Sequence, residues 1–208
     1  MNKTYHHGNL RLALITAAIP VLKKKGIVGL SLRELATKLG VSHGAPYRHF
    51  SNKAALLEAI AVTGFVALKD ICQKAICEFP DDPRKQLYQA GIGYILYVAQ
   101  NPEVADLMFR PGAFSGENAQ ELRQASDAAV SRLAAIIENG KRKKLYRQHE
   151  TMDLVLTSLS AVHGLAIFIT GGMLLDPTAP EDMIEALGKK VFYILMHGME
   201  SANPPEDL

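Results

Sequence analysis

The segment from Ser42 to Lys53 gathers side chains that make directional polar contacts: His43, Tyr47, Arg48, His49 and Lys53, with the small residues Gly44 and Ala45 between them. A phenol, a guanidinium and an ammonium all donate hydrogen bonds, and a histidine donates or accepts. Gly44 and Ala45 let a backbone approach a partner closely, while Val41 and Phe50 are the apolar anchors of the segment. Such a surface suits an anionic partner rich in acceptors. The charge agrees: residues 1–60 hold nine Lys/Arg against Glu34 and Glu58, a balance of +7, whereas the other 148 residues sum to −5. A basic module beside an acidic body points to a polyanion for the first part and another partner for the second, although a solvated basic face has the same composition.

No other set of residues has the spacing of a reactive site. There is no G-x-x-x-x-G-K-[ST], no G-x-S-x-G, and no G-x-G-x-x-G after a strand, and the pair Asp81-Asp82 is explained by helix capping. His6-His7 has no further ligand at a supporting spacing, so no metal and no cofactor is expected. Cys72 and Cys77 lie five apart in an apolar run, which predicts buried free thiols and no disulfide. An enzyme is not expected.

The elements that must carry the polar segment are helical, because apolar positions recur at spacings of three and four and alternating β-branched runs are missing. A first helix is expected after Asn9, bent at Pro20 and ended by Lys23-Lys24-Lys25 and Gly26. Ser31-Leu32-Arg33-Glu34 predicts a capping box for a second helix that stops at Gly40, a residue suited to positive φ. Ser42 is expected to cap a third, short helix to His49, and a long helix to run from Asn52-Lys53 to about Glu78. Asp82-Pro83 and Asn101-Pro102 each predict a cap and a first helical residue. Further helices are expected over about 118–139, 152–170 and 181–199, which makes an all-α chain of about nine helices. The division predicted is 1–54 for the basic module and 55–208 for the body.

With 208 residues, 48% of them hydrophobic, the chain has material for a full core. The longest apolar stretch, 154–175, is interrupted by Ser158, Ser160, His163 and several glycines, so no membrane partner is expected. Residues 1–7 are followed by no apolar leader region, and a cytoplasmic protein is expected.

Two short helices joined at Gly40-Val41 have the dimensions of a helix-turn-helix, whose second helix enters a duplex major groove. Residues 29–57 resemble the DNA-binding signature of the TetR family of bacterial transcriptional regulators: the core is Tyr47-x-His49-Phe50-x-x-Lys53, with Gly40-Val41-Ser42 before it and Leu56-Leu57 after it. Tyr5 to Arg11 is similar to the start of one large branch of that family. That branch often carries Trp-x-x-x-His-Gly in its ligand domain, and here His163-Gly164 is present with Leu159 in the Trp position. The resemblance is close over 5–57 and loose beyond. It implies DNA-backbone contacts by Ser42, Gly44, Tyr47, His49 and Lys53, and the DNA-facing set is completed by Ser31, Arg33 and Ala45. Base edges fall to His43 and Arg48 on their chemistry, since Arg pairs with guanine in bidentate fashion. Tyr5, His6 and His7 either form an arm at the DNA edge or are disordered.

The resemblance further implies a small-molecule effector held by the body. Phe65, Tyr94, Tyr97, Met108, Phe109, His163 and Phe168 are the candidates, each of which either lines a pocket or fills the core; Tyr88 and Phe114 belong to the same apolar group. The last two helices are assigned to a homodimer interface, with Ala161, Leu165, Val191, Ile194 and Leu195 at its centre and Gly164 and Gly188 permitting close approach. The expected function is a homodimeric repressor released from palindromic double-stranded DNA by a small molecule. An activator or ligand-independent regulator of the same fold, or a small helical enzyme or carrier using the body's cavity, remains the alternative.

Overall fold

The computed structural model describes residues 10–110, 116, 118–176 and 178–198; Asn9, the Tyr5–His7 arm and Phe114 lie outside them. Among the described residues there are eight α-helices, one 3-10 turn and no strand: α1 (Leu10–Lys25), α2 (Leu32–Leu39), the 3-10 turn (Pro46–Arg48), α3 (Lys53–Glu78), α4 (Pro83–Gln100), α5 (Pro102–Phe109), α6 (Ala119–Arg142), α7 (Thr151–Thr170) and α8 (Glu181–His197). Contacts divide the chain into two units, Met1–Ala67 with Asn101–Asp127, and Leu68–Gln100 with Ala128–Leu208. α3 and α6 each contribute residues to both units, and the functional boundary expected at 54/55 falls in the first turn of α3.

In the first unit α1 packs on α2, the 3-10 turn and α5. Three lysines close α1 at the negative end of its macrodipole, and the helix runs through Pro20. α2 buries Leu32, Leu35 and Ala36. It stops at Gly40 at φ 69°, where the Gly40 N–H donates to the Thr37 carbonyl at 3.1 Å and the Val41 N–H to the Ala36 carbonyl at 3.0 Å. A residue with a Cβ is strained in that conformation, so glycine sets the turn. The core of this unit is made by Leu14, Leu35, Phe50, Leu56, Ile60, Met108 and Leu122, all essentially inaccessible. Burying each such side chain contributes about 1.5–3 kcal/mol. Polar ties fix the rest: Arg11 donates to both carboxylate oxygens of Glu121 at 3.0 and 3.2 Å, and its guanidinium lies 5.6 Å from the centre of the Phe50 ring.

Four local expectations are corrected. The Ser31 side chain makes no capping bond; its carbonyl accepts the Leu35 N–H at 3.0 Å, and the Glu34 carboxylate lies 3.9 Å from the Lys25 ammonium instead of closing a box. The helix expected over 42–49 is reduced to the turn Pro46–Arg48, reached through an Ala45 N–H to Ser42 carbonyl bond of 2.9 Å. Pro46 has no N–H to donate to the Ser42 carbonyl, so the α-helical ladder cannot start there. Asn101 makes no side-chain cap, and its carbonyl accepts the Val104 and Ala105 N–H groups at 3.0 Å each. Cys77 is exposed rather than buried, while Cys72 is partly buried; both are free thiols. The Asn52 and Asp82 caps do form: Asn52 Oδ1 accepts the Ala55 N–H at 3.0 Å, and Asp82 Oδ1 accepts those of Arg84 and Lys85 at 3.1 Å each.

In the second unit α4, α7 and α8 pack on one another, and Leu87, Leu133, Ile136, Ile137 and Val155 form a buried cluster with Ala75 and Ala90. The buried Gln86 is satisfied through its side-chain amide, which donates to the Phe79 carbonyl at 2.6 Å. α7 is long and apolar enough by length and composition to cross a membrane. Only 33% of that apolar window is buried; Val155, Ser158, Leu165, Ala166 and Ile169 are the buried residues of α7, which packs on α4 and α8.

Candidate functional site

The turn after α2 places its residues in two opposed sets. Pro46 and Phe50 are buried and anchor it, whereas Ser42, His43, Gly44, Tyr47, Arg48 and His49 are exposed. The neighbouring Arg33 on α2 is exposed as well, and Ser31, Ala45 and Lys53 are half-buried. All ten residues expected to face DNA therefore lie on the first unit, within Ser31–Lys53, and seven of them are exposed. Among the described residues nothing within 4 Å meets the position of a Cβ on Gly44, so glycine there serves no internal contact with them. Lys53 sits at the start of α3, where the free amides of the first turn attract an anion; its ammonium also donates to the Ile27 carbonyl at 3.0 Å, tying α3 to the turn after α1. Sequence reasoning did not find that bond, which depends on where the 26–30 turn folds back. His43 Nε2 lies 3.1 Å from the Thr37 hydroxyl oxygen.

The seven effector candidates are divided between the units. Phe65, Met108 and Phe109 belong to the first, where the Phe65 and Phe109 rings meet edge to face at 5.8 Å and Met108 is fully buried. Tyr94, Tyr97, His163 and Phe168 belong to the second. There the Tyr94 hydroxyl and His163 Nδ1 are 2.8 Å apart, joining α4 to α7. Burial pushes the Tyr94 phenol well up and the His163 imidazole down, which favours the uncharged form of each. Phe168 is 46% exposed and does not face the interior of its unit. A narrow apolar cleft lies elsewhere, between α4, α7 and α8, lined by Tyr88, Gly91, Ile92, Ile95, Val162, Gly188, Val191, Phe192 and Leu195. None of the seven lines it. Gly91, which faces Val162 of α7, and Gly188, which faces Ile92 of α4, were the signal in the sequence that could have located it.

The interface candidates also separate. Leu165 is buried inside the second unit, so it belongs to the chain's own core; Ala161, Val191 and Leu195 are half-buried, and Ile194 is exposed. Gly188 serves an internal contact, because a Cβ there would lie 2.6 Å from Ile92 Cδ1. The apolar residues that α7 and α8 turn outward are Met152, Leu156, Ile167, Phe168, Met183, Tyr193 and Ile194. Periodicity missed this face because α7 is apolar nearly all round.

The first unit carries an exposed basic turn after α2, the layout of a helix-turn-helix, and the chain has a second helical unit. Residues 14–60 match the family described as bacterial regulatory proteins, tetR family, and residues 87–190, half of the chain, match the tetracyclin repressor-like C-terminal domain. The chain belongs to the TetR family of bacterial transcriptional regulators. It is 27% identical to the class D tetracycline repressor protein of Escherichia coli over 206 residues, covering 92% of this chain and 86% of that one. A protein of unknown function from Rhodococcus sp. RHA1 superposes with a TM-score of 0.76 at 30% identity, covering 92% of this chain and 98% of that one. The fold is also that of AibR in complex with isovaleryl coenzyme A and operator DNA, at a TM-score of 0.63 and 19% identity, covering 88% and 97% of the two chains.

Proposed function

We propose that this chain is a homodimeric repressor that binds a palindromic operator through residues 1–54 and is released from it by a small molecule bound by residues 55–208. The observation that carries the reading is the exposed set Ser42, His43, Gly44, Tyr47, Arg48 and His49 held on buried Pro46 and Phe50, within residues 1–60 of charge +7. Tyr47, His49, Lys53 and the Ser42 and Gly44 backbone position the turn on phosphates, and Arg48 and His43 meet base edges. A three-residue turn reads few bases, so two copies on a twofold axis supply the length of a specific site. The outward apolar face of α7 and α8 is the surface on which the copies associate.

The effector occupies the second unit. Its Tyr94–His163 pair offers polar anchoring. In the AibR complex this fold is seen with an acyl coenzyme A and operator DNA on one protein. Release requires only that effector and operator favour different conformations, with a coupling of about 1–3 kcal/mol. The protein acts without a metal or cofactor, in the cytoplasm.

Selection of duplexes from a random pool by the full chain, at about 0.15 M salt to screen weak contacts, tests the reading. Recovery of a palindrome with a fixed half-site spacing is expected. A folded chain that enriches no sequence contradicts it.

A further inference from the structure

Thr37 and His43 meet across the turn that follows α2. The Thr37 hydroxyl oxygen lies 3.2 Å from the Arg33 carbonyl oxygen, one helical turn earlier, and 3.1 Å from His43 Nε2. A hydroxyl has one proton to give and two lone pairs to receive with. A carbonyl oxygen only accepts, so the bond between these two oxygens is donated by the Thr37 hydroxyl, the back-bond to the i−4 carbonyl that Thr makes in helices. Toward His43 the hydroxyl can then only accept, and His43 Nε2 must carry a hydrogen. In a neutral imidazole this leaves Nδ1 as the acceptor.

His43 is exposed, and among the described residues nothing lies within 4 Å of where a Cβ on the next residue, Gly44, would stand, so a duplex edge can approach this ring closely. We propose that Thr37 holds His43 in the Nε2–H tautomer, and that His43 therefore selects, at one position of each half-site, a base that presents an exocyclic amine on the strand it contacts. Adenine offers N6–H and cytosine N4–H in the major groove; thymine O4 and guanine O6 and N7 would meet Nδ1 lone pair to lone pair. Thr37 is thus a positioning residue and His43 a specificity-determining one. The proposal rests on the DNA-binding reading above and goes beyond it by stating which bases His43 accepts and what fixes that choice.

Two measurements on the full chain test it. Long-range 15N spectra of the histidine-labelled protein in the absence of DNA report the tautomer directly, with Nε2 protonated and Nδ1 bare expected for His43. Affinities for the selected operator, carrying each of the four bases in turn at each position, then report selection. One position is expected to favour adenine or cytosine over guanine or thymine by about tenfold or more. His43→Ala removes that preference at this position alone. Thr37→Val keeps the β-branched shape and deletes the hydroxyl; it mixes the tautomers in the spectrum and shrinks the same preference, while affinity for the other positions is retained. A dominant Nδ1–H tautomer, or an operator bound with no amine preference sensitive to Thr37→Val and His43→Ala, overturns the proposal and leaves DNA binding standing. A chain that shows the Nε2–H tautomer and binds no duplex overturns the DNA-binding reading itself, and base selection with it.

Discussion

Lys53 and Arg48 are both cations near the same turn, yet they are held differently. The Lys53 ammonium is half-buried and already donates to the Ile27 carbonyl at 3.0 Å, which leaves two of its hydrogens for a phosphate; Arg48 stands exposed on the 3-10 turn. Lys53→Ala is expected to weaken binding to every duplex alike, to lower the salt slope by about one, and to cost about 1 kcal/mol of stability through the lost Ile27 bond. Arg48→Ala is expected to relax the preference at one base position by about 1–3 kcal/mol. Titrations of both variants against a panel of operator mutants at several salt concentrations check this, and uniform losses from both would remove Arg48 from the base edges. The cysteines give a second test at this scale. Burial pushes the Cys72 thiol up to about 11, so at pH 8 only about one in a thousand is thiolate, and reactivity follows the thiolate. Cys77 is exposed. Alkylation at pH 8 followed by peptide mass spectrometry is expected to modify Cys77 and leave Cys72 untouched in the folded chain; equal labelling contradicts the burial.

Helices are where the sequence was most and least readable. Eight of the nine expected helices form near the spans that periodicity gives, and the caps at Asn52 and Asp82 form because each side chain reaches an amide two or three residues on. Ser31 and Asn101 have the same residue types and make no such bond, since a cap depends on a side-chain rotamer that composition does not specify. The turn at 42–49 resembles a helix in pattern, and Pro46 decides otherwise. Sequence placed the ten DNA-facing candidates on one short segment because they all fall within Ser31–Lys53; it could not sort the effector and interface candidates, which come from distant helices apolar on several sides. Two glycines separate these roles. A Cβ on Gly188 would lie 2.6 Å from Ile92 Cδ1 and 3.2 Å from Ile95 Cδ1, whereas one on Gly164 meets nothing within 4 Å. Gly164→Ala is expected to raise the chain's own stability by about 0.5–1 kcal/mol through helix propensity. Gly188→Ala gains the same propensity but pays for overpacking, about 1–3 kcal/mol, and should come out destabilised or neutral. Urea unfolding of both variants decides it; a destabilised Gly164→Ala would place an unrecognised neighbour against α7.

The whole molecule is electrically divided, +7 over residues 1–60 and −5 over the remainder, which concentrates attraction for a polyanion at one end of the chain. Charge alone would bind any duplex, and what distinguishes a regulator is the difference between one duplex and another. The most direct measurement is the affinity of the full chain for its selected palindrome and for a scrambled duplex of the same length and composition, compared across a range of salt. The account predicts two chains per palindrome and a preference of about a thousandfold or more over the scrambled duplex at 0.15 M salt, where the sequence-independent part of binding is weakened. Equal affinities that fall together with salt would contradict it, and would make the exposed turn at Ser42–His49 a solvated basic surface and not a reader of sequence.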